Sequence, residues 1–139
     1  MKKILVLLLA MLLLTGCGSN GKQGATTEQT AEDVGVKGEY VQISAEEAKK
    51  LMDTEENFIL LDVRTQEEYE SSHIPGAILI PDNEVEERAE KELPDKDQLI
   101  LVYCRSGNRS KTASQILANM GYTNVKEFGG INDWPYDKE

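Results

Sequence analysis

The chain has 139 residues, 40% of them hydrophobic and 29% charged, which fits one globular domain with short appendages and excludes a membrane-embedded body. Its formal net charge is −10 at pH 7, with 25 acidic and 15 basic residues, so a nucleic-acid-binding surface is not expected. An anionic substrate would need a local basic site within this negative field.

The N-terminus has the pattern of an export signal. Lys2 and Lys3 precede an apolar run, residues 4–14, that is shorter than the roughly twenty residues needed to span a bilayer. The stretch LTGC, which ends at Cys17, resembles the bacterial lipoprotein signal. This resemblance implies that residues 1–16 are a signal peptide and that Cys17 carries a lipid, which would hold the protein on the outer face of the bacterial cytoplasmic membrane. In the alternative, the signal is cleaved in the ordinary way and Cys17 has no role.

The segment that follows the signal is polar and has no apolar periodicity. Residues 17–39 are therefore predicted to be the lipidated N-terminus and a flexible tether, and residues 40–139 to be the folded domain. Loss of residues 1–16 would leave 13 basic and 25 acidic residues, a formal charge of −12. With Cys17 lipidated, Cys104 would be the remaining thiol, so no intramolecular disulfide is expected.

Within residues 40–139, short apolar runs alternate with amphipathic segments. Two capping-box patterns, Ser44 with Glu47 and Thr65 with Glu68, indicate where two helices begin. The predicted strands are 40–43, 58–63, 77–80, 99–103 and 125–128, and the predicted helices follow Ser44 and Thr65 or lie at 83–93 and 110–120. This order predicts an α/β fold in three layers, with a mainly parallel central sheet and helices on both faces.

The stretch LVYCRSGNRSKTASQIL places Cys104 at the carboxyl end of a predicted central strand, where ligand sites of parallel sheets lie. Backbone amides of the loop, the N-terminus of the next helix and the charges of Arg105 and Arg109 would all favour a thiolate. The same groups would bind an oxyanion. The alternative is a buried structural cysteine, since cysteine is among the most often buried residues.

Three stretches, LDVRTQEEYESSHIPGAILIP, VYCRSGNRS and VKEFGGINDW, resemble in order the signatures of rhodanese-homology domains. The resemblance covers nearly all of residues 40–134. It implies a rhodanese-like fold, a nucleophilic Cys104 that takes up sulfur as a persulfide, and Ser110 as the first residue of the next helix. The implied substrate-binding residues are Arg105, Ser106, Gly107, Asn108, Arg109 and Ser110.

The resemblance implies a thiosulfate-type sulfurtransferase without a metal or organic cofactor. Its partners would be a small anionic sulfur donor and a thiol or cyanide acceptor. Related phosphatases carry five residues between the cysteine and the arginine, whereas four residues separate Cys104 from Arg109. The alternatives are a phosphatase or arsenate-reducing enzyme of the same fold, which the short loop disfavours, and a non-catalytic sulfur-carrier or binding module.

Other polar residues receive structural interpretations. Asp62 and Arg64 resemble a structural ion pair of the family. His73 is the single histidine of the chain and makes a poor metal site. Trp134 is predicted to pack on the core.

Overall fold

The structure is a computed structural model that describes residues 38–139. The predicted signal peptide, Cys17 and all of the predicted tether except its last two residues lie outside the described residues. Within residues 38–139, no helix combines the length and the apolar character needed to cross a membrane.

The described chain alternates strands and helices, as predicted from the sequence. The strands are β1 (Val41–Gln42), β2 (Phe58–Asp62), β3 (Ile78–Leu79), β4 (Leu99–Cys104) and β5 (Val125–Gly130). The helices are α1 (Ala45–Thr54), α2 (Gln66–Ser71), α3 (Val85–Glu92) and α4 (Asn108–Asn119), with short 3-10 turns at Asp82–Glu84 and Ile131–Asp133.

The five strands form one sheet in the order β1-β5-β4-β2-β3, and every neighbouring pair is parallel. All six residues of β4 are buried, as expected for a central strand covered on both faces. The prediction of a mainly parallel sheet with β4 at its centre is therefore confirmed. This topology gathers the carboxyl ends of β2, β4 and β5 at one edge.

Two apolar clusters cover the two faces of the sheet. One packs α3 and α4 against side chains such as Val102 and Val125. The other packs α1, Phe128 and the buried Trp134 against side chains such as Leu101 and Tyr103. Helices therefore lie on both faces, and the predicted core position of Trp134 is confirmed.

Local capping chemistry sets where α1 and α2 begin. The Ser44 hydroxyl accepts from the Glu47 amide at 3.1 Å, and a Glu47 carboxylate oxygen accepts from the Ser44 amide at 2.8 Å. Thr65 and Glu68 repeat the arrangement at the start of α2. Each pair satisfies amides that a helix N-terminus otherwise leaves without partners.

All five strands and helices α3 and α4 differ from their predicted bounds by one or two residues, and three of these differences reach two residues. Helix α4 begins at Asn108 and not at Ser110, because Gly107 takes a positive φ of 102° and turns the chain directly into the helix. The predicted helix 83–93 is a 3-10 turn followed by α3. Strand β5 continues through both glycines, because Gly130 is paired with Cys104 across the sheet.

Candidate active site

Cys104 is the last residue of β4, and the loop that follows folds back over its sulfur. The Gly107 amide donates to Cys104 Sγ at 3.0 Å, and Ser110 Oγ lies 3.4 Å from the same sulfur. The side chain is 1% exposed, so the sulfur sits beneath the loop. The amides near the start of α4 thus surround one sulfur atom, as predicted.

These contacts determine the acidity of the thiol. Burial acts to raise the pKa of Cys104, but hydrogen bonding with Ser110 and with the amides of Gly107 and Ser106 outweighs it, so the pKa lies below the ordinary thiol value. The loop therefore favours the thiolate, which is the nucleophilic form. The groups that lower the pKa of Cys104 most are hydrogen-bonding groups of the loop and of α4. Arg109 also interacts with the sulfur electrostatically, at longer range.

The loop is held against the strand beside it by a close backbone approach. A Cβ atom on Gly130 would lie 2.1 Å from the Arg105 carbonyl oxygen, so only glycine fits there. The same carbonyl accepts a hydrogen bond from the Asn132 amide at 3.2 Å. The VKEFGG strand is thus part of the support of the cysteine loop.

Arg109 forms a two-pronged ion pair with a residue from α2. Its guanidinium donates to both carboxylate oxygens of Glu68, at 2.8 and 2.9 Å. Glu68 also completes the capping box of Thr65. The hydrogen bond from Arg109 is the main reason why the pKa of Glu68 falls to about 2. The sequence predicted Arg109 as a charge near Cys104, and the structure adds that Glu68 holds this charge in place.

The remaining loop residues face solvent beside an open cleft of about 380 Å³. Arg105, Ser106 and Asn108 are exposed, and Arg105 contributes to the cleft wall. The cleft is lined by Arg64, Glu67, Glu68, Ser71, Ser72, Arg105, Ile131, Asn132 and Lys138. Ser110, by contrast, is fully buried under the loop and contacts the sulfur, not the cleft.

Sequence inspection missed Glu127, a carboxylate on β5 that is 2% exposed. Its Oε1 accepts from the Ser110 hydroxyl at 2.6 Å and from the Gly129 amide at 2.8 Å. Glu127 is thereby linked through Ser110 to Cys104. The sequence carried one signal for this residue, an acidic side chain in the middle of a predicted strand. Acidic residues are rarely buried in a protein core without a partner, so such a position deserves a search for one.

Asp62 and Arg64 form a buried ion pair at the carboxyl end of β2, as predicted. Arg64 donates to Asp62 Oδ2 at 2.6 Å and, through its amide, to Oδ1 at 2.9 Å. A further bond to the Ser72 carbonyl, at 2.7 Å, ties this pair to the chain after α2. The pair therefore fixes one wall of the cleft.

His73 has a packing role in the described structure. Its ring stacks on Tyr69 with centroids 3.9 Å apart, and its backbone exchanges two hydrogen bonds with Glu139. Across residues 38–139, no three histidine, cysteine or acidic side chains are grouped closely enough to hold a metal ion.

Comparisons with known proteins match both parts of the chain. Residues 44–136 match the family model described as "Rhodanese-like domain", and residues 1–17 match a prokaryotic membrane lipoprotein lipid attachment site, which indicates a lipid-anchored association with a membrane.

Among curated relatives, thiosulfate sulfurtransferase PspE of Escherichia coli (strain K12) is 47% identical over 73 residues, which cover 52% of this chain and 70% of PspE. Adenylyltransferase and sulfurtransferase UBA4 of Candida albicans is 35% identical over 102 residues, which cover 68% of this chain but only 23% of that protein. Among solved structures, a rhodanese with anions from E. coli is 43% identical with a TM-score of 0.55, and the match covers 58% of this chain and 95% of that one.

Proposed function

This chain belongs to the rhodanese-like domain family and is a rhodanese-like sulfurtransferase, and we propose that it moves sulfur from thiosulfate or a related donor to a thiophilic acceptor through a persulfide on Cys104. The observation that carries the proposal is the buried Cys104 sulfur, surrounded by hydrogen-bond donors that lower its pKa. A lowered thiol pKa increases the fraction of thiolate at a given pH, and the thiolate is the form that attacks sulfur.

The first half-reaction forms one sulfur–sulfur bond and breaks another. The Cys104 thiolate attacks the outer sulfur of thiosulfate, and sulfite leaves with the electron pair of the bond that breaks. Cys104 then carries a persulfide anion, and the total charge is conserved. In the second half-reaction, cyanide or a thiolate attacks the outer sulfur and restores the Cys104 thiolate, so the enzyme follows a two-step cycle.

The loop supplies the groups that hold the reacting anions. The amides of Ser106 and Gly107 are directed toward the sulfur position and stabilise negative charge there. Arg105 reaches the cleft wall, where it meets the sulfonate end of an incoming donor. Arg109 and the exposed Asn108 complete the loop beside it, and Ser110 acts from beneath on the sulfur itself.

The decisive experiment is mass spectrometry of the intact protein after treatment with thiosulfate. We expect a gain of one sulfur atom on Cys104, and its loss when cyanide is added, with thiocyanate formed over many turnovers. A persulfide that forms but is not turned over would identify a sulfur carrier. Absence of the persulfide, with hydrolysis of a phosphate ester or reduction of arsenate, would identify the alternative enzymes of this fold.

Arg109→Ala is expected to lower kcat/KM for thiosulfate by about tenfold to a hundredfold. This factor corresponds to the free energy of one hydrogen bond between charged groups. The same change should raise the pKa of Glu68 from about 2 toward its usual range, because the main hydrogen bond that lowers it is lost. Steady-state kinetics and an NMR titration of Glu68 measure the two effects. The ion pair stabilises the fold above the ordinary carboxyl pKa, and its contribution is lost as the pH falls through about 2.

Arg109→Lys should restore only part of the activity, because a lysine cannot reproduce the two parallel bonds of a guanidinium. Arg88→Ala is the matched control, since Arg88 pairs with Glu84 and Glu92 on the outer side of α3. Equal kinetics for Arg109→Ala and Arg88→Ala would contradict a role of Arg109 in donor binding.

We further propose that a lipid on Cys17 holds the protein on the outer face of the cytoplasmic membrane. The match of residues 1–17 to a lipid attachment site supports the lipid anchor. Cys17→Ala should prevent lipid attachment and either block processing or release the protein from the membrane, as fractionation and immunoblotting would detect. A mutant that is processed normally and still sediments with membranes in high salt would contradict the proposed anchor.

A further inference from the structure

Glu127 is a buried carboxylate for which the sulfur chemistry described above has no use. It lies on β5 beneath the cysteine loop and is 2% exposed. Acidic side chains are almost never buried to this degree without a cation or several donors. Among residues 38–139, no lysine, arginine or histidine forms an ion pair with Glu127.

The hydrogen bonds of Glu127 lead to the active-site sulfur. Its Oε1 accepts from Ser110 Oγ at 2.6 Å, and Ser110 Oγ lies 3.4 Å from Cys104 Sγ. Ser110 and Cys104 are also buried, at 0% and 1% exposure, so the three groups form a short chain shielded from water. Since a hydroxyl has one proton and two lone pairs, Ser110 can accept from Cys104 while it donates to Glu127.

Other charged groups nearby are directed elsewhere. The titratable or charged residues on the neighbouring strands, on α4, in the cysteine loop and just before β1 are Tyr40, Tyr103, Cys104, Arg105, Arg109, Lys111 and Lys126. Tyr103 packs in the cluster on the opposite face of the sheet, and Arg105 is exposed. Arg109 is paired with Glu68, and Lys111 is exposed. Lys126 follows the alternation of the strand and points to the opposite face of the sheet, where it acts on Glu47. Tyr40 precedes β1 and packs against the cluster on the Glu127 side of the sheet.

We propose that Glu127 is a positioning residue that accepts the proton of the Cys104 thiol through the Ser110 hydroxyl. The proposal rests on the assignment of Cys104 as the nucleophile and adds the destination of its proton. In this step the Cys104 S–H bond breaks and its proton passes to Ser110 Oγ. The original Ser110 proton passes to Glu127 Oε1, so that no electrons are exchanged and the net charge is unchanged.

The products of this transfer are a Cys104 thiolate and a neutral Glu127 carboxylic acid. Ser110 then donates to the thiolate and accepts from the acid, so every group in the buried chain keeps a partner. Because proton transfer is internal, the thiolate does not require the proton to be released to water. Cys104 and Glu127 therefore share one proton over a range of pH.

The test is the pH dependence of Cys104 alkylation by iodoacetamide in the full-length protein, with peptide mass spectrometry to separate Cys104 from Cys17. For the wild type we expect two rises in rate, with a plateau between them where the shared proton keeps a constant fraction of thiolate. Glu127→Gln keeps an oxygen that can accept from Ser110 and Gly129 but cannot take up the proton. It should show one rise, below which the rate falls about tenfold per pH unit.

Two further variants separate proton transfer from a merely structural role. Ser110→Ala keeps both end groups and removes the connection, so the plateau should disappear there as well. Glu87→Gln, an identical change at an exposed position of α3, should retain the wild-type profile. Circular dichroism confirms that each variant is folded.

A single rise in the wild type, or a plateau that persists in Glu127→Gln, would overturn the proposal. Alkylation does not depend on sulfur transfer, so this result is separate from the thiosulfate experiment. A protein that forms no persulfide could still show the shared proton, and one that forms a persulfide could lack it.

Discussion

Cys104→Ser is expected to reduce sulfur transfer from thiosulfate to cyanide to the rate measured without protein. The proposed intermediate is a covalent bond between sulfur atoms, and a serine hydroxyl, which stays protonated at neutral pH, cannot form it. The fold should persist because the change is nearly isosteric and the hydroxyl can still accept from the Gly107 amide that now contacts the sulfur. Thiocyanate production measures the rate, and urea unfolding should give a free energy within about 1.5 kcal/mol of the wild type.

The matched control for this change lies on α4, the helix that follows the cysteine loop. Thr112→Ser removes one methyl group at an exposed position of α4 and should keep the wild-type rate. Transfer at an undiminished rate by Cys104→Ser would show that another group of the protein carries the sulfur.

Asp62→Ala is expected to lower the free energy of unfolding by about 3–5 kcal/mol. Asp62 is fully buried, and its carboxylate accepts from both the side chain and the amide of Arg64. Removal of this partner would leave the Arg64 guanidinium, 5% exposed, as an uncompensated charge beside the Tyr103 ring. Because a domain of this size has a total stability of about 5–15 kcal/mol, urea denaturation should show a large loss.

Asp53→Ala provides the comparison with an exposed pair. Asp53 pairs with Lys49 one helical turn away, and both side chains are substantially exposed. Such pairs are worth about 1 kcal/mol or less. If the two aspartate variants lose equal stability, then burial of the Asp62–Arg64 pair does not determine its contribution.

Features set by nearby residues could be predicted from the sequence. The starts of α1 and α2 are each fixed by a capping box, which joins two residues three positions apart, so these helix starts were predicted closely. Strand β4 is a continuous apolar run and was also predicted closely. The start of α4 was placed two residues too late, because no side chain caps it. A positive φ at Gly107 begins that helix, and a single glycine in a loop does not specify its own conformation.

Features that join distant parts of the chain could not be predicted in this way. Glu68 was identified as a helix cap, but its pairing with Arg109 joins two helices that are separated by β3, α3 and β4. Glu127 had no recognised role because its link to Cys104 depends on the turn that places Ser110 under the loop. Close approach of the Arg105 carbonyl to Gly130 likewise becomes evident only when the strand and the loop are side by side.

The pairing of the first strand with the last has a consequence for the order of folding. Within residues 38–139, strand β1 lies at the edge of the sheet and pairs only with β5, almost the whole domain away in sequence. A chain synthesised from its N-terminus cannot complete this sheet until β5 is available, and parallel sheets built from such long-range pairs fold slowly. Gly130, whose backbone lies against the Arg105 carbonyl, is part of β5 as well. We therefore expect the loop that activates Cys104 to be assembled in the final stage of folding, so that a nascent or partly folded chain carries an ordinary, unactivated thiol.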